Sequence, residues 1–157
     1  MPTGQARFDH VGISVADLEQ ARDWYCRALR LSVENEFAVA GTNLRGIMLR
    51  HESGYRIELL HRPGSAAGIE PDSPLAAAGT RGYGHFCLCV DDVDAEFGRL
   101  ISAGATTRMP PSPSPRAGAR VAFLADPEGN LIELLDRKDL SGRQPGYSSA
   151  LLGFCPA

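Results

Sequence analysis

The sequence predicts an α+β protein built as two tandem copies of one strand–helix–strands unit. Three observations carry this: the chain repeats itself at an offset of 75 residues, each copy opens on an alternating apolar run, and each run gives way to apolar spacing of helical period. At that offset His10 meets His85, Ile13 meets Leu88, Val15 meets Val90 and Asp17 meets Asp92; further on, Gly54 meets Gly129, Ile57 meets Ile132, Glu58 meets Glu133, and Leu59-Leu60 meet Leu134-Leu135. His and Glu stand 48 positions apart in both halves. Chance alignment of aliphatic residues is common; two coincident His–Glu pairs are not.

In the first copy Phe8–Val15 alternates as a strand. Asp17 is placed to cap a helix, with Gln20 three residues on completing a capping-box pattern. Leu18, Ala21, Tyr25 and Ala28 form the helix's apolar stripe, widened by Trp24 and Leu29. Weak alternation at Phe37–Ala40 and clearer runs at Gly46–Arg50 and Tyr55–Leu60 give the following strands. In the second copy Tyr83–Val90 is the strand, Asp91 or Asp92 the cap, and Val93, Phe97, Leu100 and Ile101 the helix face, with Gly104 as the stop. Arg120–Ala125 and Leu131–Leu135 are strands joined by the turn Asp126-Pro127-Glu128-Gly129. The stretch near Arg108–Ser112 is rich in proline and fits only an edge strand, leading into a Pro/Ser-rich loop at Pro110–Gly118. These elements divide the chain into a single domain, 1–137, made of modules 6–61 and 82–137, a linker 62–81 in which Ser73-Pro74-Leu75 caps one short helix, and a tail, 138–157.

The 157 residues carry a net charge of -3, with 43% hydrophobic residues. There is no basic cluster for nucleic acid or an anionic membrane, no apolar run long enough to span a bilayer, and no signal-peptide pattern at the N-terminus. The expected setting is the cytoplasm and the expected partner a small molecule. Cys26, Cys87, Cys89 and Cys155 lack CxxC spacing and read as thiols rather than a disulfide framework.

Because strand side chains alternate, His10 shares a face with Gly12 and Ser14, and His85 with Cys87 and Cys89, while the strongly apolar faces point the other way. Glu58 and Glu133 likewise oppose their aliphatic neighbours. A carboxylate in such a strand is costly to bury without a partner. If the halves pair about a pseudo-twofold axis, His10, Glu58, His85 and Glu133 meet. Two imidazoles and two carboxylates, without sulfur, suit one catalytic divalent first-row metal (Ni, Co, Zn, Mn or Fe) with positions left for substrate. Read singly, each residue is better explained as a hydrogen-bonded core histidine or a solvated carboxylate; all four at repeat-equivalent positions favour the metal. His61 falls on the helix side and His51 at a turn, outside the set. Trp24, Arg45, Met48, Met109 and the Pro110–Gly118 loop are the candidates for the cavity rim.

The segments FDHVGISVADLEQARDWY, YRIELLH, GHFCLCVDDVDA and VAFLADPEGNLIELLD resemble the vicinal oxygen chelate superfamily, which includes glyoxalase I, methylmalonyl-CoA epimerase, extradiol dioxygenases and bleomycin-resistance proteins. In layout the chain is most similar to glyoxalase I and the epimerase. The resemblance implies paired βαβββ modules, each a curled half-barrel, with a metal held by His10, Glu58, His85 and Glu133. Modules in the superfamily pair within a chain or across a dimer, and a homodimer is expected here. The implied activity is that of a metal-dependent lyase or isomerase acting through an enediolate or enolate of a small carbonyl or thioester substrate, with Glu133 as base and Glu58 as its symmetric counterpart. Two alternatives accompany it: an Fe(II) extradiol-type dioxygenase using His10, His85 and Glu133, and a non-catalytic binding or resistance protein. Ser14 stands where glutathione-using glyoxalases typically carry Arg, and no carboxylate lies at Gly41, near which the epimerase keeps a second Glu.

Overall fold

β1 (His10–Ser14), α1 (Leu18–Leu29), β2 (Ser32–Ala38), β3 (Arg45–Arg50) and β4 (Arg56–His61) form the first unit. After the short α2 (Pro74–Ala78), the same order returns as β5 (Phe86–Cys89), α3 (Val93–Ser102), β6 (Thr106–Pro113), β7 (Arg120–Ala125) and β8 (Leu131–Leu135). The structure is a computed structural model and describes residues 6–115 and 118–136. The expected tail at 138–157, with Cys155, lies outside the described residues. Each unit is a four-stranded mixed sheet, ordered β1-β4-β3-β2 and β5-β8-β7-β6. In each the first strand runs parallel to the last and the remaining pairs are antiparallel. The architecture is the expected tandem of βαβββ modules.

Local chemistry sets the element ends. The Asp17 carboxylate accepts the Gln20 N–H at 2.8 Å, and Asp92, rather than Asp91, accepts the Ala95 N–H at 3.0 Å, each satisfying a donor left open at a helix start. Ser73 does the same for α2, accepting the Ala76 N–H at 3.1 Å. α3 stops at Gly104, whose φ of 98° suits a residue without Cβ. α1 ends instead on Arg30, at φ 54°. The β3–β4 and β7–β8 turns are copies. The Gly54 N–H donates to His51 O at 2.9 Å and the His51 N–H to Tyr55 O at 3.0 Å; Gly129 and Asp126 repeat both bonds at 3.0 Å.

Three boundaries differ from the sequence pattern. β2 begins at Ser32, five residues before Phe37; it is largely exposed, so no burial alternation marks it, and its pairing with β3 supplies the order. β5 is shorter than Tyr83–Val90 and leaves His85 just before the strand. β6 runs through Pro110 to Pro113, so the loop starts later than Pro110. It is an edge strand with register breaks around Met109, which accommodates residues lacking an N–H.

One core joins the modules. Leu18, Tyr25, Leu29, Ile47, Leu49, Ile57 and Leu59 cluster with Val93, Leu100, Leu124, Ile132 and Leu134. α1 packs on β3 and β4, and α3 on β6, β7 and β8. Between the helices, Trp24 Nε1 donates to Ala103 O at 3.0 Å, and Arg99 Nη2 donates to Ala28 O at 2.6 Å. The 75-residue offset carries Trp24 onto Arg99 and Ala28 onto Ala103. An indole and a guanidinium therefore do the same work, each meeting a carbonyl near the C-terminal end of the opposite helix. Trp24, expected at the cavity rim, is 4% exposed; it belongs to this helix–helix contact. Tyr25 OH donates to Asp126 Oδ2 at 2.7 Å, and burial, with the Asp126 carboxylate beside it, holds the phenol well above its usual pKa. Glu128 accepts the Ala16 N–H through both oxygens, at 2.9 and 2.8 Å. Among the described residues no helix is long and apolar enough to cross a membrane.

Candidate metal centre

The helix-bearing faces of the two sheets are turned toward each other, so the opposite face of each is the one that carries its His and Glu. On the first sheet His10 Nε2 lies 3.5 Å from Glu58 Oε2. On the second, His85 Nε2 lies 3.1 Å from Glu133 Oε2. The imidazole side chains are 35% and 38% exposed and the carboxylates 20% and 19%. All four side chains are thus partly exposed. The match between modules follows from the shared register: β1 runs beside β4 with Gly12 opposite Glu58, and β5 beside β8 with Cys87 opposite Glu133.

Each histidine is thus brought to the glutamate of its own module. The four residues are not brought into one cluster within the chain. Among the described residues no group of three or more His, Cys, Asp and Glu is placed to hold a metal ion. The physical reason is the shared core: the apolar, helix-bearing faces of the two modules pack against each other, so it is not the two His–Glu pairs that meet. A cavity of about 820 Å³ does lie between the modules, bordered by Gly12, Ser14, Arg81, His85 and Asn130. It follows the edges of β1 and β5 and takes in neither His10 nor either glutamate.

The surroundings of the two pairs differ. His10 Nδ1 is hydrogen-bonded to Asp9 Oδ2 at 2.8 Å. That bond and the nearby Arg56 guanidinium hold the Asp9 carboxyl below its ordinary pKa. His85 stands edge-on to Phe123, with ring centroids 5.1 Å apart and planes at 80°. Phe123 is the cross-strand partner of Glu133 and joins Val121, Leu135, Ala119 and Met109 in a small apolar cluster on that face. In the first module Met48 is the cross-strand partner of Glu58. Met48 and Met109, expected at the cavity rim, instead lie beside the two His–Glu pairs and do not line the cavity between the modules. Arg45 does not offer a spare charge, since Glu19 takes it at 2.9 Å. Of the two excluded histidines, His61 meets Val15 O at 3.2 Å, and His51 stacks on Tyr55. Asp9 and Phe123 were not singled out from sequence. Asp9 carried one signal, its adjacency to His10; Phe123 carried one only through register, ten residues before Glu133.

The donor set suits a divalent cation. Each module offers one ring nitrogen and one carboxylate on adjacent strands, the pairing that first-row metals accept. Space beside the Glu58 carboxylate is kept by Gly12, where a Cβ would come within 3.3 Å of Oε2. The ring of His10 is oriented through its second nitrogen by a carboxylate, as metal-ligating histidines are.

The sequence model of the Glyoxalase/Bleomycin resistance protein/Dioxygenase superfamily matches residues 7–134. The chain is 28% identical to a probable lactoylglutathione lyase of Vibrio cholerae over 135 residues, 84% of this chain and 91% of that protein. It is 25% identical to a lactoylglutathione lyase of Arabidopsis thaliana, over 83% of this chain and 44% of that one. Among solved structures, a glyoxalase family protein from Bacillus cereus superposes with a TM-score of 0.70 at 23% identity, covering 86% of this chain and 96% of the other. Glyoxalase I of Zea mays superposes with a TM-score of 0.67 at 23% identity, covering 83% and 44%. The chain spans under half the length of the two plant proteins.

Proposed function

The chain belongs to the Glyoxalase/Bleomycin resistance protein/Dioxygenase superfamily, and on that premise we propose that it is a divalent-metal-dependent lyase or isomerase. It would act through the enediolate or enolate of a small carbonyl or thioester substrate. The observation that carries the reading is the pair of repeat-equivalent His–Glu half-sites, His10 with Glu58 and His85 with Glu133. Each supplies two donors and leaves a coordination shell unfinished. Since the shared core holds the half-sites apart in one chain, the reading includes a homodimer in which the His10–Glu58 face of one copy meets the His85–Glu133 face of a second. A twofold contact of that kind yields two four-residue centres per dimer.

When bound there, the cation supplies Lewis-acid stabilisation of charge developing on a substrate oxygen. The chain supplies the rest. His10 and His85 fix the cation through ring nitrogens. Glu133 takes a proton from the carbon beside the carbonyl, and Glu58, related by the repeat, is placed to return or receive one from the other side. Phe123 and its apolar neighbours give the Glu133 side an apolar wall, which would strengthen electrostatic effects there once a second copy covers the face. Glu58 sits against His10 as Glu133 sits against His85. That favours four ligands over the three of an extradiol-type centre. The named relatives are lactoylglutathione lyases, so a dicarbonyl–thiol adduct is the first substrate to try.

Elemental analysis of the purified protein tests the reading, followed by reconstitution with Ni, Co, Zn, Mn and Fe. Activity is then assayed on a dicarbonyl–thiol adduct, a 2-methylmalonyl thioester and a catechol. Failure to bind any of these metals at micromolar concentration overturns it. The shared centre has its own test: a His10→Ala/Glu58→Ala chain mixed with a His85→Ala/Glu133→Ala chain. Each is inactive alone, and subunit exchange restores about a quarter of wild-type activity, because half of the dimers are mixed and each holds one intact centre. No recovery despite exchange rules out the cross-chain arrangement.

A further inference from the structure

The two histidines of the proposed centre are held by different means. At His10 the Asp9 carboxylate lies 2.8 Å from Nδ1. A carboxylate only accepts, so it fixes the proton on Nδ1 and leaves the lone pair on Nε2. Asp9 is itself braced. Arg56 Nη1 stands 3.6 Å from its other oxygen, and Arg56 grips both oxygens of Glu34 through Nε and Nη2, at 2.6 and 2.9 Å. Arg56 is the register partner of His10, so the chain of charges crosses from β1 to β4 and on to β2, where Glu34 sits at a register break. The far end is His10 Nε2, 3.5 Å from Glu58 Oε2: two lone-pair atoms facing each other with no proton to share.

The second module lacks this device. Repeat equivalence puts Gly84 at the Asp9 position and Leu131 at the Arg56 position. Among the described residues, the hydrogen bond of the His85 ring is the one from Nε2 to Glu133 Oε2, at 3.1 Å. That is the distance at which an Nε2–H donates to a carboxylate. The hydrogen-bond partners thus favour Nδ1–H for His10 and Nε2–H for His85.

We propose that Asp9, braced by Arg56 and Glu34, is a positioning residue that presets the Nε2 lone pair of His10, making the N-terminal half-site the preorganised one, while the C-terminal half-site must break its His85–Glu133 hydrogen bond to receive a ligand. The consequence for metal affinity rests on the metal reading above; the tautomer assignment does not.

The test is nitrogen-15 NMR of the metal-free protein, at a pH where both rings are neutral, joined to calorimetric titration with Zn²⁺ and Ni²⁺. In the wild type His10 should report Nδ1–H and His85 Nε2–H. Asp9→Ala moves His10 toward Nε2–H and weakens metal affinity about 10–100-fold. Asp9→Asn, whose amide oxygen can still accept, restores part of both. Asp9 is 66% exposed, so its loss leaves the fold in place. The reciprocal variant is Gly84→Asp. A Cβ at Gly84 meets nothing within 4 Å, and the new carboxylate should turn His85 to Nδ1–H and tighten metal binding. If His10 keeps Nδ1–H in Asp9→Ala, or starts from Nε2–H in the wild type, the proposal is overturned. If the tautomer changes as stated but no metal binds to the wild type, the Asp9 assignment stands and the metal reading falls.

Discussion

At the 75-residue offset Asp9 becomes Gly84, Arg50 becomes Ala125 and Arg56 becomes Leu131, while Met48 becomes Phe123. On the site faces, then, the first module surrounds its histidine with charges and the second with apolar groups. On the helix side the same offset changes side chains and keeps contacts: Trp24 to Ala103 O becomes Arg99 to Ala28 O. The first-strand closure is also copied, with Val15 N–H to Leu60 O at 2.8 Å and Val90 N–H to Leu135 O at 2.9 Å. The difference separates two kinds of constraint. The helix side must pack two copies of one unit against each other, so any donor that reaches the opposite helix end serves. The site side has only His and Glu in common, and each module reaches a similar His–Glu geometry with different support.

The comparison can be broken most sharply at the glutamates. Glu133→Gln should lower kcat by about three orders of magnitude, roughly 4 kcal/mol of barrier, while metal uptake measured by elemental analysis stays largely intact. Glu58→Gln should have a smaller effect on kcat if the apolar second module houses the principal base. Equal losses would make the two half-sites chemically equivalent despite their surroundings.

The helix contacts come next. Trp24→Ala removes a buried ring and should cost about 3–5 kcal/mol in urea unfolding. Arg99→Ala, at the equivalent position but 31% exposed, should cost about 1–3 kcal/mol, mainly through the Ala28 carbonyl left without its donor. Similar values for both would mean that the shared hydrogen bond, not burial, dominates. Tyr25→Phe should cost about 1–3 kcal/mol, since it removes a donor to Asp126 while Asn130 Nδ2 still reaches the same oxygen at 2.9 Å. The smallest effect concerns the helix ends. Arg30→Gly should stabilise by about 1 kcal/mol by relieving a left-handed backbone that Gly104 already occupies without a Cβ; a lower unfolding midpoint would show that the Arg30 side chain matters more than its φ.

Much of this was legible beforehand. Asp17 and Asp92 announced both helices because capping is a local interaction, and Leu18, Ala21, Trp24, Tyr25, Ala28 and Leu29 were all readable as a buried stripe from spacing. β2 was hard to read because an exposed strand carries no alternation, and β6 because its prolines mark both a loop and an edge. Trp24 was assigned to the rim because periodicity tells which face of a helix is apolar, and not what that face will meet.

Sequence alone carried the duplicated unit and the shared face of His10 with Gly12 and Ser14, of His85 with Cys87 and Cys89, and of Glu58 and Glu133 away from their aliphatic neighbours. These follow from a two-residue strand period and from the repeat, both local properties. The tertiary structure added that each histidine meets the glutamate of its own module, that the helix faces share one core and so hold the two pairs apart, that Asp9 and Phe123 are the supports of the two rings, and that Trp24 meets the opposite helix end rather than a cavity rim. Those outcomes depend on how two apolar surfaces pack. Packing is a relation between segments distant along the chain, and periodicity within either segment does not specify it.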